Sequence, residues 1–111
     1  MIRSFLLYER LLYSVEMYLK VHKAPGGVQV TAVCDHELLG TTVSHGDLEI
    51  EVTEDFYGGV FATEDEVRKA LLEAQNANII GPRVVEIAIS LGRVNRSSCL
   101  MIGSVPHAIF I

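Results

Sequence analysis

Between Met17 and Cys34 apolar residues recur at every second position, break at Ala24-Pro25-Gly26-Gly27, and resume with the same period. Side chains alternate across a strand, so this pattern predicts two half-buried strands joined as a hairpin. Met17, Leu19 and Val21 form one inward row, with Tyr18, Lys20 and His22 outward. Val28, Val30, Ala32 and Cys34 form the second, with Gln29 and Thr31 outward. "DLEIEV", residues 47–52, repeats the alternation with Leu48, Ile50 and Val52 inward. "SCLMI", Gly103-Ser104 and "VPHAIFI" predict a closing pair of strands around a two-residue turn.

Elsewhere the period lengthens to that of a helix. In "TEDEVRKALLEAQNAN", residues 63–78, Thr63 and Glu66 have capping-box spacing, and Val67, Ala70, Leu71 and Ala74 fall on one stripe. A second helix starts at Gly81-Pro82 and runs through Val84, Val85, Ala88 and Leu91 to a stop at Gly92. "DHELLG" predicts a short helical turn capped by Asp35 and ended by Gly40. The expected fold is α+β: a small, mostly antiparallel sheet of about five strands with two main helices on one face. Residues 1–16 predict a short N-terminal amphipathic helix, an extension to a single α+β domain over 17–111.

The chain of 111 residues suits one domain, and half of it is hydrophobic, which excludes a disordered chain. Its net charge of −5 disfavours general DNA binding, which needs a basic surface. Arg3, Glu9 and Arg10 interrupt the apolar N-terminal stretch, so neither a membrane span nor an export signal is expected, and the chain is assigned to the cytoplasm. Cys34 and Cys99 are expected as reduced, buried thiols; a bridge between them stays open.

Several residues are candidates for chemistry. Cys34, Asp35, His36 and His107 would form a polar cluster in an enzyme or metal protein if the fold brought them together. No closely spaced pair of zinc-ligand type is present, so no metal or cofactor is expected. "NIIGPRV" approximates a KH-type loop, but Val84 stands where its second glycine belongs. From Asp47 to Glu66, twenty residues hold eight carboxylates and no Lys or Arg, and the stretch contains "DFYGGVF", the densest aromatic cluster of the chain. Phe56 and Phe61 are expected to anchor that connection under its surface. Gly58 and Gly59 supply conformational freedom, and Tyr57 is left partly exposed for a partner. The C-terminal strand is apolar on both faces, which predicts either burial in the domain or a homo-oligomer interface through it.

"CDHELLG", "EDFYGG", "ANIIG", "VVEIAISLG" and "GSVPHA" follow one another in the order seen in an archaeal family of conserved proteins, the domain-of-unknown-function family 424. From Met17 to Ile111 the chain resembles that family, whose members begin near "MYLKVH". The resemblance implies an archaeal cytoplasmic protein without established catalytic residues. Cys34, Asp35, Leu38, Leu39, Gly40, Phe56, Tyr57, Gly58, Gly59, Asn78, Gly81, Pro106 and His107 stand at its motif positions. With no complete catalytic signature present, the expected function is a non-enzymatic binding module for a protein or ribonucleoprotein partner, in translation or RNA handling. Phe56, Tyr57, Gly58 and Gly59 are its expected contact residues.

Overall fold

The computed structural model describes residues 15–111; of the predicted N-terminal helix, residues 1–14 lie outside the described residues, and Val15 and Glu16 belong to a strand. Strands β1 (Val15–Lys23) and β2 (Gln29–Asp35) form the expected hairpin. The sheet therefore already includes Val15, which pairs with Thr63, two residues before the predicted domain boundary.

The register of the hairpin corrects the predicted faces. Met17 lies opposite Asp35 and Tyr18 opposite Cys34. Opposed residues share a face, so the Met17 row and the Cys34 row, both predicted inward, point to opposite sides of the sheet. Each is nevertheless buried, because Thr31 to Asp35 are covered on both faces. Alternation within a strand separates its two faces; it does not say which face meets the neighbour's inward row. At the turn end the covering runs out, and Val21 and Val28 are exposed.

The remaining elements are β3 (Thr42–His45), β4 (Leu48–Glu51), α1 (Glu54–Tyr57), β5 (Val60–Thr63), α2 (Glu64–Glu73), β6 (Ala77–Ile80), α3 (Pro82–Ser90), β7 (Leu100–Ile102) and β8 (Val105–Phe110). Six strands make a mixed sheet in the order β5-β1-β2-β6-β8-β7, with β2 and β6 parallel and all other neighbours antiparallel. A separate hairpin of β3 and β4 turns at Gly46, whose φ of 62° suits a glycine. The α+β class holds, with a larger sheet than expected.

Three strands were not predicted. β3 and β5 have four residues each, too few for a clear period. The first two residues of β6, Ala77 and Asn78, fall at the end of the predicted helical segment 63–78. That helix ends at Glu73, and Asn78 is a central-strand residue. A short apolar run buried on both faces carries no periodicity that separates it from a helix. The capping box of α2 is present as predicted: the Thr63 hydroxyl accepts from the Glu66 amide and the Glu66 carboxylate accepts from the Thr63 amide.

The sheet separates two cores. Helices α2 and α3 cover one face, where Met17, Val33, Leu71, Ile79, Val85 and Phe110 pack. The other face was expected to be open and polar; much of it is closed by the β3–β4 hairpin and α1 over Ala32, Cys34, Val52, Tyr57, Ile80 and Ile102. Cys34 belongs to this second core and Cys99 packs against the first, so the sheet stands between the thiols and both are free. Strand β8 pairs with β6 over residues 107–110 and with β7 over residues 105–107, so on the β7 side no described strand pairs with Ala108, Ile109 or Phe110.

The double glycine is explained by close approach rather than by φ, since neither glycine has a positive φ. A Cβ on Gly59 would sit 2.1 Å from the Leu19 carbonyl oxygen, and one on Gly58 would meet the Glu54 carbonyl at 2.7 Å. Backbone on backbone leaves nothing flexible to yield. Gly59→Ala is expected to destabilise the protein by about 2 kcal/mol or more, read as a lower urea midpoint. An unchanged midpoint would show that the loop does not press on β1.

Candidate partner-binding site

The aromatic loop is built against β1 and anchored in the second core. Thr53 caps α1 through its hydroxyl, which accepts from the Phe56 amide at 3.2 Å. At the other end of this single turn the carbonyls lack helical partners, and β1 supplies donors. Lys20 Nζ donates to the Asp55 carbonyl at 2.7 Å, and His22 Nε2 donates to the Phe56 carbonyl at 2.6 Å while its ring stacks on Phe56 with centroids 4.7 Å apart. Positively charged or N–H donors at a helix C-terminus complement its dipole. Alternation along β1 places Tyr18, Lys20 and His22 on this face together.

Tyr57 is the anchor, contrary to the predicted roles. It is 3% exposed, and its hydroxyl donates to Asn78 Oδ1 at 2.6 Å. The same oxygen accepts from His107 Nε2 at 3.0 Å. Burial raises the Tyr57 phenol, the nearby Cys34 adding to the rise, and burial lowers the His107 imidazole from 6.5. A neutral tyrosine and a neutral histidine, each giving a hydrogen bond to one amide oxygen, form a satisfied network rather than a reactive one. It joins three of the motifs that carried the family resemblance, "EDFYGG", "ANIIG" and "GSVPHA". The ring predicted to be buried, Phe61, is 54% exposed and stacks on Tyr18 at 4.4 Å.

Cys34, Asp35, His36 and His107 do not assemble. The Cys34 thiol is buried in the second core, and burial pushes it up to about 12, with Asp35 the next contribution; a thiol held so high is no nucleophile near neutral pH. The Asp35 side chain points through the other face, where its oxygens accept from the amides of Arg83 and Val84 at 2.9 and 3.0 Å. His36 lies on the surface against Glu37, 2.9 Å from its carboxylate, and Glu37 also pairs with Arg83. His107 is committed to Asn78. The described residues contain no group of three or more His, Cys, Asp or Glu arranged to hold a metal ion.

Asp35 was predicted to cap its own turn. That turn, His36–Leu38, has no side-chain cap; the carboxylate instead caps α3, whose N-cap residue Gly81 has no side chain to do so. A Cβ on Gly81 would lie 2.4 Å from Asp35 Cγ, and the φ of 122° is itself a glycine conformation. Burial pushes the carboxyl up, while the two amides and the Arg83 guanidinium draw it back.

Beside the loop lies an open cleft of about 630 Å³ lined by Tyr18, His36, Leu39, Gly40, Glu51, Thr53, Glu54 and Asp55. Three carboxylates and one imidazole are its ionisable side chains apart from Tyr18, and no Lys or Arg lines it. The tyrosine connects the cleft to the exposed Phe61 ring. Glu51 was predicted as a solvated outward residue of its strand, and nothing in the local pattern showed that α1 would stand beside it.

Residues 22–111 match the family described as "Protein of unknown function (DUF424)", and the chain belongs to that family. Its fold is similar to that in the crystal structure of an uncharacterized conserved protein from Methanopyrus kandleri. The two share 24% identity with a TM-score of 0.70 over 86% of this chain and 90% of the other. No curated protein matches. None of the described helices is long and apolar enough to cross a membrane.

The neutral His107 makes stability depend on pH. Its native pKa lies below 6.5, so between the two values the unfolded state binds the extra proton. The contribution of this group is complete above about pH 6.5 and is lost as pH falls toward the native pKa. Urea midpoints at pH 7.5 and 5.5 should therefore differ less in His107→Gln than in the parent chain, and the His107 ring should titrate below 6.5 by NMR. A midpoint above 6.5 would overturn the buried, neutral assignment.

Proposed function

We propose that this protein is a non-enzymatic binding module whose acidic cleft takes a basic segment of a partner protein. The observation that carries this reading is the cleft lining: Glu51, Glu54 and Asp55 are exposed and no Lys or Arg lines the cleft, the neighbouring Lys20 ammonium being held by the Asp55 carbonyl, next to the Tyr18–Phe61 ring pair. Interfaces favour aromatic anchors surrounded by complementary charge, and like charge excludes the phosphate backbone of nucleic acid. Basic arms are characteristic of proteins that bind nucleic acid, which supports a ribonucleoprotein partner and a setting in translation or RNA handling. In this reading Phe56, Tyr57, Gly58 and Gly59 act by fixing the loop: Phe56 through its stack on His22, Tyr57 through Asn78, Gly58 through its close approach to the Glu54 backbone and Gly59 through its seat on β1. Contact falls to Glu54, Asp55 and Phe61. The division of Cys34, Asp35, His36 and His107 among separate surroundings supports a binding role over chemistry at those residues.

A photo-crosslinking residue placed at Glu54 in the full chain, with one at Leu72 on the exposed side of α2 as control, tests this in cells of the source organism. The Glu54 position should crosslink to a Lys- or Arg-rich protein segment, and Glu51→Lys with Asp55→Lys should abolish that product while leaving the melting temperature nearly unchanged. Crosslinks equal at both positions, or a product that survives charge reversal, would reject the cleft as the site.

A further inference from the structure

Resting on the basic-partner reading, we infer that the outer edge of β5 accepts an extended segment of that partner as an added strand. β5 is the end strand of the sheet: β1 occupies one side, and no described strand pairs with the other. Exposed edges are commonly blunted by charged side chains, proline or a bulge, or are covered by another element. The other end strand, β7, packs against the β3–β4 hairpin and carries only three residues. β5 is Val60-Phe61-Ala62-Thr63, with no charge and no proline, and Val60 and Phe61 are 64% and 54% exposed.

Both faces of this edge offer places for alternating side chains. On the helix side, Leu19, Val60, Ala62 and Ala70 line a groove of about 330 Å³ between α2 and the sheet, which Glu66, Lys69 and Glu73 also line. On the other side Phe61, stacked on Tyr18, leads into the acidic cleft. Strand addition draws affinity from main-chain hydrogen bonds and specificity from such alternate positions.

Charge selects the occupant. Glu54 and Asp55 lie before the strand and Glu64 and Asp65 after it, all exposed. A second copy pairing β5 with β5 would bring these carboxylates together, which is repulsive. Arg68 answers Glu64 at 3.6 Å, Lys69 lies along the groove with Glu66 and Glu73, and Lys20 is held by the Asp55 carbonyl, so carboxylates remain in excess around the strand. A segment with an apolar centre and basic flanks meets each requirement; its short ladder makes the flanking charge necessary for affinity.

The test titrates the full-length ¹⁵N-labelled chain with a short acetylated, amidated peptide of alternating valine and threonine, carrying two lysines at each end. A second peptide has the same charge and alternate backbone nitrogens methylated, which removes ladder donors. The expected result is slowed amide exchange confined to Val60–Thr63 and its β1 partners, with binding weakened about tenfold or more by methylation. Equal binding of the two peptides overturns strand addition and leaves the acidic-cleft reading standing, because charge alone then suffices. Failure of both peptides, with Glu54 crosslinking to a basic protein intact, overturns the edge proposal alone. Failure of both with no such crosslink overturns both readings. Concentration-dependent dimerisation that Phe61→Lys abolishes would assign the edge to a second copy and overturn the proposal.

Discussion

A single buried carboxylate sets much of this architecture. Asp35 ends β2, a central strand of the sheet, and its side chain crosses to the start of α3, where it accepts from two backbone amides. Those amides belong to the first turn of a helix, which has no internal partners for them. Buried against a core and unpaired, each would cost about 1–3 kcal/mol. The interaction requires Gly81, because a side chain there would occupy the carboxylate's position. With α3 pinned, Val84, Val85 and Ala88 are set into the helix-side core, and β6 before the helix lies beside β2 in parallel register.

The same carboxylate shows how structure and function divide in this chain. Cys34, Asp35 and His36 are consecutive, and their consecutiveness suggested a reactive cluster. Neighbours on a strand point to opposite faces, so consecutiveness works against convergence. The thiol enters one core, the carboxylate caps a helix over the other, and the imidazole follows the chain onto the surface. Residues from separate motifs do meet, as Tyr57, Asn78 and His107 show, yet their hydrogen bonds are mutually satisfied. What remains open to a partner lies on the outside: an acidic cleft, the exposed Phe61 ring stacked on Tyr18, and the edge of β5.

Much of the fold was legible where a local rule is strong. The capping box at Thr63, the proline start and glycine stop of α3, the first hairpin and the closing hairpin at Gly103-Ser104 all rest on contacts within a few residues. The site was less legible because its determinants are not local. Tyr57 sits between a phenylalanine and a glycine, where exposure is reasonable, and only the distant Asn78 explains its burial. Gly59 requires the carbonyl of Leu19, on a strand that the loop's own sequence says nothing about. The second core arises because the hairpin at Gly46 folds over the sheet; its second strand was legible in "DLEIEV", but β3, its first, was too short to declare itself.

Asp35→Ala, measured by urea unfolding together with amide exchange at Arg83 and Val84, tests most directly whether this carboxylate holds α3. Loss of about 2–4 kcal/mol, with the exchange of those two amides accelerated before that of the α2 amides, is the predicted result. Stability and protection equal to those of the parent chain would show that the carboxylate does not hold α3, and would return Asp35 to the set of residues available for chemistry.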